Sequence, residues 1–174
     1  MKGNRRVYLP HVDLEGYYQF VTFRTHDSID DYLKRISDDS SISVRLREYK
    51  IDEYLDNSSC GAYLNDEVLN YLRDFFISKD SNLYGLVAFA IMPNHVHLLF
   101  KQEESLSKTM QILKGSSSIA INRLLNRKGR FWEVNYYDRA IRNENHFLTV
   151  YDYIQNNPLK ANLKDAKNRF YGIY

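Results

Sequence analysis

Residues 83–102, LYGLVAFAIMPNHVHLLFKQ, predict the centre of the fold. Two apolar runs, 83–92 and 95–102, have the composition of buried β-strands. They meet at Pro93-Asn94, a dipeptide that favours a tight turn. We therefore expect an antiparallel hairpin in the middle of a sheet.

The segments on either side of this hairpin predict an α+β protein. Four further elements are indicated: a strand at 17–25, a helix at 65–80, a helix at 105–125 and a helix at 143–158. Gly115 and three serines can bend or break the second helix, and Pro158 is expected to end the third. A basic loop and a further strand fill 126–142. The order strand, helix, strand, strand, helix, strand, helix is typical of helices packed mainly on one face of an antiparallel sheet.

Composition favours one domain spanning residues 1–174. The polar segment 27–64 is expected to form an insertion of short helices and loops at one edge. A single cysteine, Cys60, excludes an intramolecular disulfide and a cysteine-rich zinc module. No signal-peptide pattern and no long apolar run are present, so a cytoplasmic protein without a membrane partner is expected.

Charge is distributed unevenly along the chain. Residues 1–104 hold 12 Lys and Arg against 17 Asp and Glu, a net −5, whereas residues 105–174 hold 12 against 5, a net +7. The basic half is a candidate face for a polyanion. The 15 tyrosines add aromatic surface that can stack bases or simply pack.

His95 and His97 are two residues apart on the second hairpin strand, so they leave the same face of the sheet. Val96, Leu98 and Phe100 then fill the other face. Two imidazoles so placed can bind one divalent cation. They can equally form local hydrogen bonds, and the H-x-H spacing alone does not decide between these roles.

The last predicted helix offers groups that would complete a catalytic site. Tyr153 and Asn157 are four residues apart and share one helical face. A phenol can act as a nucleophile toward a phosphodiester, and a carboxamide oxygen can be a third cation ligand. Each residue alone is also compatible with ordinary packing. Tyr151 points about 200° away from Tyr153, so only one of the two tyrosines can face the histidines.

Four segments, taken in order and spacing, resemble the REP-associated tyrosine transposases, a group of single-tyrosine, HUH-type transposases. The segments are MPNHVHLLF, SLSKTMQILKG, RFWEVNYYDRAIR and YIQNNPLKANL. The segment FVTFRT and the segment before the hairpin also resemble this group, so the resemblance covers about residues 17–163. Family members often carry a tryptophan-rich tail after the NP motif, and this chain has none there.

The resemblance implies a ferredoxin-like fold and a specific chemistry. His95, His97 and Asn157 would hold Mg²⁺ or Mn²⁺. Tyr153 would be the nucleophile that becomes linked to the 5′ phosphate of cut single-stranded DNA. The implied substrates are single strands folded into hairpins of palindromic repeats. A monomer is favoured over a homodimer.

Eight basic side chains are candidate phosphate contacts in such a protein. They are Lys108, Lys114, Arg123, Arg127, Lys128, Arg130, Arg139 and Arg142. Two other functions stay open at this point. One is a hairpin-binding protein that does not cut DNA, which the basic half would also explain. The other is a metallohydrolase that uses activated water and leaves Tyr153 idle.

Overall fold

The computed structural model describes residues 16–174, and the predicted hairpin lies at its centre. Strand β2 (Tyr84–Ile91) pairs antiparallel with β3 (His95–Gln102). The backbone N–H of Met92 donates to the carbonyl of His95 at 2.8 Å and closes the turn at Pro93-Asn94. The expectation that the N-terminus holds no signal peptide lies outside the described residues.

Three more strands extend the hairpin into an antiparallel sheet of order β4-β1-β3-β2-β5. The added strands are β1 (Tyr18–Arg24), β4 (Tyr137–Ala140) and β5 (Phe170–Gly172). Helix α3 (Asp66–Ser78) follows β1 and α4 (Leu106–Leu124) follows β3, which gives the β-α-β-β-α-β sequence of a ferredoxin-like fold. The predicted α+β class is confirmed.

The two faces of the sheet carry different layers because strand side chains alternate. One face presents Val21, Phe23, Leu98 and Phe100 to a core that α3 and α4 complete. The opposite face presents Phe20, Leu99 and small alanines to α5 (Glu144–Lys160). The second layer matters for function because α5 is the helix that carries Tyr153.

Helix α4 is continuous, although the sequence pattern led us to expect a bend or break. The hydroxyls of Ser117 and Ser118 donate to the carbonyls of Leu113 and Lys114, four residues earlier, at 2.5 and 2.6 Å. Ser117 also accepts a hydrogen bond from the indole N–H of Trp132. The polar side chains are thus satisfied without breaking the helix.

In the described part of the chain, no helix combines the length and apolarity needed to cross a bilayer.

Helix α5 passes through Pro158 and ends at Lys160, so the predicted stop at the proline was wrong. Proline lacks the N–H that would bond the carbonyl four residues earlier, so the helix loses one hydrogen bond at this position. The carbonyls of Asn157 and Pro158 still accept from the N–H groups of Ala161 and Leu163, which keeps the end of the helix hydrogen-bonded. The last turn is therefore retained.

The segment 27–64 contains α1 (Asp31–Asp38) and α2 (Val44–Asp56). Leu33 of α1 packs against Ile51 and Leu55 of α2 in a small separate core. The amide nitrogen of Asn94 in the hairpin turn donates to the carbonyls of Leu55, Ser58 and Cys60. These bonds hold the end of α2 against the hairpin turn.

The C-terminal residues are held by one buried arginine. Arg169, in the short helix α6 (Ala166–Arg169), donates to the carbonyls of Leu64 and Ile91, each at 3.0 Å. It also donates to the side chains of Asn65 and Asp165. The anchored chain then adds β5 to the edge of β2.

We expect Arg169→Met to lower the free energy of unfolding by about 2–3 kcal/mol, because buried carbonyls lose their donors. Urea denaturation measures the change. Lys167→Met is the matched control, since Lys167 is exposed in the same short helix. An equal loss in both variants would contradict the anchoring role.

Candidate active site

The two histidines lie in the centre of the sheet, on the face that α5 covers. His95 is opposite Arg24 of β1, and His97 is opposite Thr22. Both imidazoles are 0% exposed. Val96, Leu98 and Phe100 pack into the core on the other face, as the alternation predicted.

Asn94 orients His95. The Asn94 side-chain oxygen lies 2.8 Å from His95 Nδ1, while its amide nitrogen is bound to the three carbonyls at the end of α2. A carboxamide oxygen only accepts, so Nδ1 of His95 carries the proton. Nε2 of His95 therefore presents a lone pair. The sequence reading treated Asn94 only as a turn residue and missed this role.

His97 is fixed in the same tautomer by two other partners. The amide nitrogen of Asn157, which can only donate, lies 3.2 Å from His97 Nε2. Nδ1 of His97 then carries the proton and donates to the hydroxyl of Thr22 at 2.8 Å. The unprotonated Nε2 of His97 thus faces Asn157 of α5, and that of His95 faces α2. Asn157 turns its nitrogen, rather than its oxygen, to His97.

Tyr153 lies over these rings, and Tyr151 does not. The ring centroids of Tyr153 and His97 are 5.2 Å apart, and the Tyr153 ring also packs edge-on against Phe20. The Tyr151 hydroxyl instead donates to the carbonyl of Tyr174 in the C-terminal tail. The structure thus brings together His95, His97, Tyr153 and Asn157, and their roles stay predictions.

The sequence reading missed two carboxylates of α2. The Tyr153 hydroxyl donates to Asp52 Oδ2 at 2.7 Å. Asp52, His95 and His97 each offer one ligand atom, and these atoms lie within 4.8 Å of one another. Asp56 Oδ1 is 3.7 Å from His95 Nε2. The sequence did contain a signal for them. Acidic residues recur at 48, 52 and 56, and this four-residue period places them on one helix face, beside the apolar residues Ile51 and Leu55.

The unsatisfied atoms of this cluster fit a cation. Four of its buried atoms lack a hydrogen-bond partner within the part of the chain that the structure describes: Asp52 Oδ1, Asp56 Oδ1, His95 Nε2 and Asn157 Oδ1. With the His95 tautomer assigned above and both carboxyls ionised, all four carry lone pairs and none carries a hydrogen. Such a set attracts a cation and repels an anion.

Burial controls the protonation of the cluster. It lowers the pKa of His95, and it lowers the pKa of His97 to about 3, so both rings are neutral at pH 7. Burial raises the pKa of Asp52 to about 6, against the opposing hydrogen bond from Tyr153. Burial, followed by the charge of Asp52, raises the pKa of the Tyr153 phenol. The phenol is therefore the hydrogen-bond donor.

The eight predicted DNA contacts do not gather around the histidines. Lys108, Lys114 and Arg123 are on α4, which covers the opposite face of the sheet. Lys108 pairs with Glu104, and Lys114 donates to the carbonyl of Val134.

The other five basic residues follow α4. Arg127 pairs with Asp27, whereas Lys128, Arg130 and Arg142 are exposed. Arg139 is opposite Phe20 in the β1–β4 register and so lies on the histidine face. The DNA-contact role of all eight stays a prediction.

The raised carboxyl pKa gives a prediction for the protein without metal. Burial, then the charges of Asp52 and Glu53, raise the pKa of Asp56 to about 7 from 3.8. A carboxyl with a raised folded-state pKa costs stability at pH above 7, and this cost disappears as pH falls toward 4. We expect Asp56→Asn to raise the melting temperature in EDTA at pH 8 and to change it little at pH 4.

Asp38→Asn is the control for that comparison, because Asp38 is exposed at the end of α1. Calorimetry at both pH values measures the effect. A stabilisation by Asp56→Asn that is equal at pH 4 and pH 8 would contradict the electrostatic cause.

Comparisons with known proteins agree with this architecture. An uncharacterised protein of Haemophilus influenzae is 29% identical over 94 residues, which cover 41% of this chain and 52% of that protein. The match therefore spans about half the length of that relative. The structure of a REP-associated tyrosine transposase bound to a REP hairpin superposes with a TM-score of 0.53 at 17% identity. It covers 88% of this chain and 73% of the other, and it supports the fold alone.

The family model described as "Transposase IS200 like" matches residues 61–157, more than half of the chain. The matched range includes His95, His97, Tyr153 and Asn157, but not Asp52. The match confirms the predicted relationship. This chain belongs to the IS200-like transposase family.

Proposed function

We propose that this protein is a divalent-cation-dependent transposase that cuts and rejoins hairpin-bearing single-stranded DNA through Tyr153. The observation that carries this proposal is the contact of the Tyr153 ring with His97 inside one buried, lone-pair-rich cluster. A phenol beside a cation site has the two components that a phosphodiester transesterification needs. An alternative without covalent chemistry would leave this arrangement unused.

His95 and His97 would hold the cation, together with the oxygen of Asn157 after a turn of its amide. The two imidazoles are neutral and direct lone pairs to the same space, as ligands must. When bound, Mg²⁺ or Mn²⁺ would withdraw charge from the scissile phosphate and orient it. Asn94 and Thr22 fix the imidazole rings from behind, as orienting partners of metal ligands do.

Tyr153 would perform the covalent step. Its phenol oxygen forms a bond to phosphorus while the bond from phosphorus to the 3′ oxygen breaks. The DNA is then joined to the protein through a 5′ phosphotyrosine, and the 3′ oxygen leaves with the bonding electron pair and takes up a proton. The reverse reaction with a second 3′ end rejoins DNA, so one side chain serves both cutting and strand transfer.

The substrate class follows from charge and from the structural neighbour. The basic half of the chain, net +7, provides non-specific attraction to phosphates. The neighbour with the same fold is bound to a REP hairpin. We infer that this chain acts on hairpins of palindromic repeats, as a single-domain monomer in the cytoplasm on chromosomal DNA.

A covalent adduct tests the proposal directly. The wild-type protein, incubated with Mn²⁺ and a panel of single-stranded hairpins, is expected to form a protein–DNA adduct that survives denaturing electrophoresis. Tyr153→Phe removes the nucleophile and should abolish the adduct. Tyr151→Phe is the matched control, because Tyr151 lies on the same helix but bonds the tail.

Two results would count against this mechanism. Equal adduct formation by Tyr153→Phe would exclude Tyr153 as the nucleophile. Salt-dependent hairpin binding by the wild type, without any adduct over the whole panel, would favour the hairpin-binding alternative that the basic half also supports.

The orientation of His95 by Asn94 predicts a defect in metal binding. Asn94→Ala frees the His95 ring and the end of α2, so Mn²⁺ affinity should fall about 10–100-fold, as is usual for orienting partners. Titration of the DNA-free protein with Mn²⁺, followed by electron paramagnetic resonance, measures this. Asn82→Ala, in an exposed turn, is the control. Unchanged Mn²⁺ affinity in Asn94→Ala would contradict the orienting role.

A further inference from the structure

A buried carboxylate from outside the family-matched residues contacts the nucleophile. Asp52 belongs to α2, whereas the family match begins at residue 61. Its Oδ2 accepts the hydrogen bond from the Tyr153 hydroxyl at 2.7 Å, across 101 positions of sequence. This contact requires an explanation of its own, because a carboxylate beside a cation cluster can be either a ligand or a proton acceptor.

We propose that Asp52 is a catalytic residue that takes the proton of Tyr153 as the phenol oxygen attacks the DNA phosphate. The inference rests on the function proposed above. The O–H bond of Tyr153 breaks, the proton moves to Oδ2 of Asp52, and the phenol oxygen forms its bond to phosphorus. The 3′ oxygen leaves with the electron pair of the broken P–O bond and takes its proton from water. In the rejoining step, Asp52 gives this proton back to the phenol oxygen.

The geometry favours proton transfer over a purely structural contact. An oxygen-to-oxygen distance of 2.7 Å is within reach of direct transfer. His95 and His97 are not hydrogen-bonded to the phenol in the described structure, and both Nε2 atoms face the cation cluster. Asp52 Oδ2 is therefore the hydrogen-bond acceptor that the structure gives to Tyr153.

The position of the carboxylate is rigid, which a proton acceptor requires. Ile51 and Leu55, on either side of Asp52, are buried against Leu33 of α1. The end of α2 is tied to Asn94 by three hydrogen bonds. Ser43 accepts from the N–H of Leu46 and caps the start of the helix. Both ends of α2 are thus held while Asp52 faces the sheet.

The role of cation ligand competes for the same residue. Asp52 lies within the cluster that could hold a metal. Asp52 Oδ2 is bound to the phenol, whereas Asp52 Oδ1 has no hydrogen-bond partner in the described part of the chain. We assign the proton transfer to Oδ2 and leave His95, His97 and Asn157 as the main cation ligands. The two roles predict different outcomes for Asp52→Asn. That variant keeps the shape and a hydrogen-bond acceptor, but an amide cannot take up the proton.

The experiment combines Asp52→Asn with 3,5-difluorotyrosine at position 153, introduced through a reassigned stop codon. We expect Asp52→Asn to slow single-turnover adduct formation about 100- to 10,000-fold, the usual contribution of a proton acceptor. The fluorinated phenol is more acidic and depends less on a base. It should therefore raise the rate of adduct formation by Asp52→Asn at least tenfold. In the protein that keeps Asp52, it should change this rate much less.

Two measurements without DNA accompany the kinetics. Mn²⁺ affinity should fall less than fivefold in Asp52→Asn and far more in His95→Ala. The fluorine NMR signal of difluorotyrosine 153 in cation-free protein should shift in Asp52→Asn, because the contact changes. Glu53→Gln is the matched control: Glu53 is exposed on the same helix, and its substitution should move neither the signal nor the rate.

The outcomes separate this inference from the proposed function. If the wild type forms no adduct, both fail. If the wild type forms an adduct and Asp52→Asn forms it equally fast, only the inference fails. Loss of Mn²⁺ binding in Asp52→Asn to the level of His95→Ala, without restoration by the fluorinated phenol, would make Asp52 a ligand and overturn the proposed role.

Discussion

The pairing of β3 with both neighbours is the constraint on which the rest of the structure depends. Each residue of β3 is held between β1 and β2, so the side chains of His95 and His97 must leave the same face. A slip of one residue would turn both imidazoles into the core that α3 and α4 cover. The apolar residues that alternate with the histidines prevent this slip, because Val96 and Leu98 are fully buried on the α3–α4 face.

That register buries polar atoms of the histidine cluster, which lowers the stability of the fold. A buried polar atom without a partner costs about 1–3 kcal/mol, and the cluster around His95 holds four of them. A fold optimised for stability alone would replace these residues with apolar ones. Their clustering around one point, with lone pairs and without hydrogens, indicates a site built for a cation. This arrangement is what the proposed cation site requires.

Much of the fold followed from local patterns. The hairpin, the flanking helices and the order of elements could be predicted, since apolar periodicity and turn chemistry act within a few residues. The stop predicted at Pro158 was wrong, and the bend that Gly115 and the serines could have caused is absent from α4. Side-chain hydroxyls and carbonyls at the helix end found partners that the pattern does not reveal. The site residues His95, His97, Tyr153 and Asn157 could be named because their motifs are compact and resemble a known family.

The sequence by itself determined the strand alternation that puts both histidines on one face and the helical spacing that puts Tyr153 above Asn157. These are consequences of backbone geometry over two to four residues. Only the tertiary structure decided that Asp52 meets Tyr153, because that contact joins segments 101 positions apart. It depends on the bonds of Asn94 to the end of α2 and on the small core beneath that helix, neither of which a local pattern specifies.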